Sequence, residues 1–159
     1  MQPDKFTMKT QAALQSAQSL AQERSHQEVR TKLFTYGLAT EEVDRILVDL
    51  IDHGFLNEER FARAYAGGKF RMKKWGRLKI VHGLEAKGVA PNCIKIGLKE
   101  IDDDDYQAAL KEFLETKARE VLVNNLYARR DKISKAAVQR GYEPDLVWKF
   151  LKEILPDQR

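Results

Sequence analysis

The residues of this sequence best suited to bind a charged ligand lie in one stretch, KFRMKKWGRLK, at positions 69–79. It combines six cations with a tryptophan: Lys69, Arg71, Lys73, Lys74, Trp75, Arg77 and Lys79. Between Arg60 and Gly88 there are nine Lys or Arg residues and one acidic residue, which gives a local charge of +8 in a chain of formal charge +4. Such a surface can neutralise phosphates. The stretch is therefore a candidate contact for a polyanion, and the alternative is a solvated helix end.

Trp75 and a second basic group each have two interpretations. Trp75 either stacks on an unpaired base or fills a gap between helices. The second group lies on one predicted helix and contains Arg129, Arg130, Lys132, Lys135 and Arg140. It is either a hydrated helix face or a further contact with the same partner, and Arg129, Arg130 and Lys132 are its candidate residues.

The sequence lacks the other residue patterns that carry chemistry. His26, His53 and His82 share no metal-ligating spacing, and the single Cys93 has no CxxC partner. The acidic run at 102–105 lacks the alternating ligands and glycine of a calcium loop, so we interpret it as a linker. No phosphate-binding glycine loop and no nucleophile paired with a base occurs. We therefore expect a non-enzymatic protein without cofactor or metal.

The composition is typical of a folded protein with a polar surface. Apolar residues make up 43% of the chain and charged residues 33%. No segment approaches the roughly 18 apolar residues of a membrane span, and the first residues lack the pattern of a signal peptide. We expect a cytoplasmic protein with no membrane association.

The sequence repeats itself around Gly37, Gly88 and Gly141, with spacings of 51 and 53 residues. Apolar or small residues recur at fixed distances from each glycine: Val29, Ile80 and Ile133 at −8; Leu33, Leu84 and Ala137 at −4; Leu38, Val89 and Tyr142 at +1; and Val43, Ile94 and Val147 at +6. These spacings follow one face of a helix before the glycine and one face of another after it. Each glycine is thus predicted to end a helix in the left-handed conformation.

The helix starts are also marked. Thr40, as an N-cap, and Pro91 and Pro144, as first helical residues, occupy position +3 of the repeats. Ser25 begins a capping box, and Asn57 can cap the helix that follows it. A third helix precedes each pair, at about residues 9–23, 57–72 and 105–121.

The predicted fold is all-α, with three tandem three-helix, helix-turn-helix-like repeats in an elongated, curved arrangement. The predicted domains are 1–54, 55–102, which contains the basic cluster, and 103–159.

Residues 54–89 resemble the signature of the RecX family, bacterial regulators of the RecA recombinase. The matching residues are Gly54, Phe55, Leu56, Asn57, Glu58, Arg60, Phe61 and Ala62, followed by Trp75, Gly76, Lys79, Ile80, Leu84, Lys87 and Gly88. Two positions depart from the pattern: Asn57 replaces a more usual Asp, and Arg77 replaces a Pro. Three tandem three-helix repeats are also characteristic of that family.

The resemblance implies a regulator that binds RecA and lies along its filament on single-stranded DNA. It would modulate, most often inhibit, the recombinase, ATPase and coprotease activities in DNA repair and the SOS response. The alternative is a direct nucleic-acid binder of the helix-turn-helix type, acting on duplex DNA. No third helix carries the side chains that read base edges, which weakens this alternative. No dimer signature appears in the sequence, so we expect a monomer.

Overall fold

The computed structural model describes residues 8–157, and this part of the chain contains nine helices and no strand. The helices are α1 (Met8–Ala21), α2 (His26–Phe34), α3 (Thr40–Asp52), α4 (Glu58–Lys73), α5 (Arg77–Ala86), α6 (Pro91–Leu98), α7 (Asp103–Glu120), α8 (Leu126–Gln139) and α9 (Pro144–Ile154). The predicted all-α class is confirmed for these residues. None of the nine helices is both long and apolar enough to cross a membrane.

The three repeat glycines have the predicted left-handed conformation. Gly37, Gly88 and Gly141 have φ angles of 75°, 74° and 106°. Residues with a side chain rarely adopt this region. Each glycine follows the second helix of its triplet, at the position where a left-handed residue satisfies the last carbonyl groups.

The helix starts agree with the sequence except in one detail. Pro91 and Pro144 begin α6 and α9, and Thr40 begins α3. Ala39 holds the N-cap position of α3 and makes no side-chain cap, so the prediction that Thr40 is the cap is wrong. The Ser25 hydroxyl accepts a hydrogen bond from the Glu28 N–H over 3.2 Å, as the capping box predicts.

Two other caps set the starts of α4 and α7. The Asn57 side chain accepts from the Arg60 N–H over 2.9 Å, which confirms its predicted role. The Asp102 carboxylate accepts from the Asp105 N–H over 3.0 Å, and the next three aspartates form the first turn of α7. The acidic run is therefore mainly a helix start, where its charges favour the positive end of the helix dipole.

The chain forms two compact units. The first unit contains the residues up to Ala64 with Leu84–Gly97, and the second unit contains Tyr65–Gly83 with the residues from Leu98 onward. The repeat positions −8, −4, +1 and +6 are buried in all three copies. This pattern confirms the helical faces that the sequence predicted. The elongated, curved arrangement and the three domain boundaries stay predictions.

Backbone contacts in the second unit join the start of α5 to the turn between α8 and α9. The Gly76 N–H donates to the carbonyl oxygen of Arg140, and the Leu78 N–H donates to that of Gly141, each over 2.9 Å. A Cβ built on Gly76 would overlap the carbonyl group of Gly141. This close approach positions Trp75 and Lys79 beside the end of α8.

Candidate nucleic-acid interface

Trp75 gathers three of the predicted cations around its indole ring. The Nζ atoms of Lys79, Lys69 and Lys73 lie 4.6, 4.8 and 5.4 Å from the ring centre. The ring is half-buried, and Lys73 and Lys79 are exposed. An exposed cation–aromatic contact contributes about 0.5–1 kcal/mol, which offsets part of the repulsion among the ammonium groups. The structure thus brings together the two ends of the basic stretch.

A second aromatic ring on α7 holds two further cations. The guanidinium carbon of Arg140 lies 4.8 Å from the ring centre of Phe113, and Lys117 Nζ lies 5.8 Å from it. Phe113 and Lys117 are one turn apart on α7, and Arg140 is the C-cap residue of α8. Phe113 and Lys117 were not predicted as binding residues from the sequence, whereas Arg140 belongs to the second basic group without being one of its candidate residues.

Residues of both clusters line one groove in the second unit, with a volume of about 330 Å³. The groove is lined by Lys73, Trp75, Lys79, Phe113, Lys117, Ala136, Gln139 and Arg140, so its lining contains four cations and no acidic residue. An adjoining groove of about 230 Å³ shares Phe113 and Arg140 and adds Lys74 together with one acidic residue, Glu112. We call the larger recess the cationic groove.

Three of the four cations in the cationic groove have no acidic partner among the described residues. No carboxylate in residues 8–157 lies within ion-pair distance of Lys73, Lys79 or Arg140, whereas Lys117 pairs with Glu120 at 3.2 Å. Like charges held together in a recess concentrate the positive potential there. The groove is therefore suited to bind an anion with several charges.

Arg77, another candidate, is held away from the cationic groove. Its guanidinium group lies 3.9 Å from the ring centre of Tyr106 and donates to Glu143 Oε2 and Asp103 Oδ1, each over 2.9 Å. The Tyr106 hydroxyl accepts from the Arg77 N–H over 3.0 Å and donates to Glu143. Arg77 therefore joins the start of α5 to α7 and α9, and its contact with a partner stays a prediction.

The ionisable groups of this network shift one another's pKa values. Burial alone would lower the pKa of Arg77, but its hydrogen bonds to Asp103 and Glu143 raise that pKa above the ordinary value. The bond from Arg77 lowers the pKa of Asp103. Burial and the bond to Glu143 raise the pKa of Tyr106. Arg77 is thus charged and paired, and Tyr106 is protonated.

Two candidate arginines of the third triplet donate hydrogen bonds to carbonyl oxygens at the ends of helices. Arg129 Nε donates to the carbonyl oxygen of Val121 over 3.0 Å, just past the end of α7. Arg130 is only 5% exposed, and it donates to the carbonyl oxygen of Leu155 over 3.0 Å and to Asp157 over 2.8 Å. Both arginines bond groups that the helices leave unpaired. The remaining candidates, Arg71 and Lys132, are exposed and lie outside the cationic groove.

Comparison with known proteins places this fold in a family. Residues 57–98 match the family model described as RecX, second three-helix domain. The regulatory protein RecX of Prosthecochloris aestuarii is 30% identical over 135 residues, which cover 84% of this chain and 85% of that protein. The chain belongs to the RecX family. A regulatory role follows from this membership.

Other RecX proteins show the same relationship. The regulatory protein RecX of Clostridium tetani is 26% identical over 134 residues, and these cover 83% of this chain and 59% of that protein. The crystal structure of RecX from Lactobacillus salivarius matches with a TM-score of 0.83 and 20% identity, covering 92% of this chain and 96% of the other. A second RecX crystal structure matches with a TM-score of 0.76 and 18% identity over 96% of this chain and 81% of the other. The RecX fold is therefore confirmed for this chain.

Proposed function

We propose that this RecX-family chain regulates RecA by binding, as a monomer in the cytoplasm, to the filament that RecA forms on single-stranded DNA. Binding slows ATP hydrolysis and strand exchange. The observation that carries the proposal is the cationic groove, in which Lys73, Lys79 and Arg140 have no acidic partner among residues 8–157. A nucleoprotein filament is the long polyanion that such a surface attracts.

The attraction would depend on salt. Cations that neutralise phosphates release condensed counterions, so the affinity falls steeply as the salt concentration rises. Contacts with the RecA protein would supply specificity, because phosphate contacts carry no sequence information.

The test is a titration of this chain into RecA that hydrolyses ATP on single-stranded DNA, at two salt concentrations. We expect hydrolysis to slow, with a higher inhibitory concentration at higher salt. Charge reversal in the cationic groove, K73E/K79E/R140E, is expected to raise the inhibitory concentration about tenfold or more. A matched control, K99E/K149E/K152E, changes the net charge equally at exposed positions outside the groove. If both triple variants raised the inhibitory concentration equally, inhibition would depend on net charge and not on the groove.

A parallel titration with naked duplex DNA separates the alternative function. A direct duplex binder would bind the duplex at least as tightly as the filament. It would also leave RecA hydrolysis unchanged when the DNA in the assay is saturated by RecA. That combination of results would contradict the proposed function.

A further inference from the structure

We infer that the cationic groove binds the sugar-phosphate backbone of a single nucleic-acid strand, and that Trp75 and Phe113 act by gathering cations and not by stacking on bases. The inference rests on the proposed function and names the ligand chemistry of that site. It also makes Trp75 a positioning residue.

Three ammonium groups already lie over the Trp75 ring. Lys79 and Lys69 hold their ammonium groups 4.6 and 4.8 Å from the ring centre, and Lys73 lies at 5.4 Å. A stacked base needs a ring face free at van der Waals distance, about 3.5 Å. To stack, a base would have to displace lysines from a favourable cation–aromatic contact and lose their attraction for the neighbouring phosphates.

The Phe113 ring is covered in the same way. Arg140 lies over it at 4.8 Å, and Lys117 lies at 5.8 Å from its centre. Both aromatic rings of the groove therefore present cations to the ligand. Two such clusters lining one groove match a ligand that carries successive negative charges, because each cluster can hold one phosphate.

Among the residues that line the groove, Gln139 is the one uncharged side chain that could hydrogen-bond a base edge. Besides the cations and the two covered rings, its lining adds only Ala136 and Gln139. A flexible single strand can adapt its backbone to the recess more readily than a rigid duplex can. Binding without base recognition also suits a site that must accept any sequence.

The test uses the full chain without RecA and measures fluorescence anisotropy of three labelled ligands at two salt concentrations. The ligands are an oligothymidine strand, an abasic strand of the same length, and a duplex of that length. We expect the two single strands to bind within about twofold of each other, more tightly than the duplex, and more weakly at higher salt. If bases stacked on Trp75, the abasic strand would bind roughly fivefold to 150-fold more weakly for each stacked base, and the inference would be overturned.

Variants at Trp75 test the positioning role. Trp75→Phe keeps an aromatic ring and is expected to retain affinity within about threefold, whereas Trp75→Leu keeps apolar volume without the ring's charge distribution. Trp75→Leu should weaken both single strands equally, by about threefold to tenfold, and should flatten the salt dependence. Trp148→Leu is the matched control, because Trp148 is exposed on α9 and lies outside the groove. If Trp75→Leu melted like the wild type and bound the strands with unchanged affinity, the positioning role of Trp75 would be overturned.

These results are separable from those on RecA. If the wild-type chain binds no naked strand at low salt, the inference is overturned, while the proposed function still depends on the ATPase titration. If that titration then shows a specific loss for K73E/K79E/R140E, the groove contacts an acidic surface of the protein partner instead.

Discussion

The hydroxyl group of Tyr142 donates a hydrogen bond to the carbonyl oxygen of Lys74 over 2.8 Å. Lys74 follows the last residue of α4 and has a φ angle of 55°, which places a residue with a side chain in the left-handed region. Tyr142 follows the repeat glycine Gly141. The bond therefore fastens the end of α4 to the turn between α8 and α9, close to the groove that Lys73, Lys79 and Arg140 line.

Replacing Lys74 with glycine is expected to raise the free energy of unfolding by about 0.5–1 kcal/mol. The left-handed conformation costs a residue with a Cβ about 1–2 kcal/mol, and the greater freedom of glycine in the unfolded chain removes part of that gain. Urea unfolding followed by circular dichroism measures the change. Lys74→Ala is the control, because it removes the same charge but keeps the Cβ. An equal gain in both variants would show that the charge, and not the backbone, causes the strain.

The Tyr142 hydroxyl also predicts a pH dependence. Burial raises the pKa of Tyr142 to about 12 in the folded protein, above the ordinary value of 10.0. Its contribution to stability is therefore complete below pH 10 and is lost as the pH rises towards 12, because the unfolded chain releases the proton first. Tyr142→Phe should be less stable by about 1 kcal/mol at pH 8 through the lost hydrogen bond. The difference from the wild type should shrink between pH 10 and 12 in urea unfolding, and a constant difference would contradict this prediction.

The sequence predicted the helices well because their signals are local. A glycine that ends a helix and apolar residues one turn apart act within about ten residues, and Val29, Ile80 and Ile133 occupy equivalent buried positions in the structure. The caps at Ser25 and Asn57 are local in the same sense. Such features depend little on how distant segments pack.

The candidate site was predicted only in part because its second wall comes from a distant segment. Charge density indicated the lysines around Trp75, but Phe113 and Arg140 reach them through the packing of Gly76 on Gly141. Arg77 shows the opposite case, because it was a candidate for binding but its observed partners are distant residues of the same chain. Its partner Glu143 is 66 residues away, so nothing near Arg77 in the sequence separates a structural arginine from a binding one.

The structural role of Arg77 can be separated from a binding role by substitution with glutamine. Arg77→Gln is expected to lower the free energy of unfolding by about 1–2 kcal/mol, because Glu143 and Tyr106 lose a charged partner. The value is at the low end for a charged pair, since the side chains of Arg77 and Glu143 are 27% and 31% exposed. Affinity for a single strand should stay within about twofold of the wild type, because Arg77 does not line the groove.

Lys79→Gln is the matched variant for Arg77→Gln. It removes one cation from the groove without breaking an ion pair, so it should weaken strand binding and reduce the salt slope by about 0.7 while leaving stability within about 0.5 kcal/mol. Urea unfolding and anisotropy titration of both variants provide the measurements. If Arg77→Gln lost more affinity than Lys79→Gln at unchanged stability, Arg77 would be a direct contact.

Arg130 is expected to contribute to stability and not to binding. Arg130→Met keeps the unbranched apolar part of the side chain but leaves the carbonyl oxygen of Leu155 without its donor, which should cost about 1–3 kcal/mol. Asp157→Asn removes only the exposed member of the group, whose side chain is 81% exposed, and should change stability by less than about 0.5 kcal/mol. Thermal melting of both variants tests the difference. Similar losses in the two would place the stabilising contact at Asp157 instead of Leu155.

The close approach of Gly76 and Gly141 predicts that an added methyl group at Gly76 disrupts the second unit. Gly76→Ala would force its Cβ into the carbonyl group of Gly141, so the backbone bonds at the start of α5 must shift, at a cost of several kcal/mol. Gly68→Ala is the matched control, because Gly68 lies inside α4 and no atom of residues 8–157 lies within 4 Å of the new Cβ. Alanine there should stabilise by about 0.5–1 kcal/mol. Urea unfolding distinguishes the two signs. Gly76 lies just before Lys79, which lines the groove, so a partly folded Gly76→Ala protein should also bind single strands more weakly. If the variant kept both the stability and the binding of the wild type, the groove would not depend on this contact.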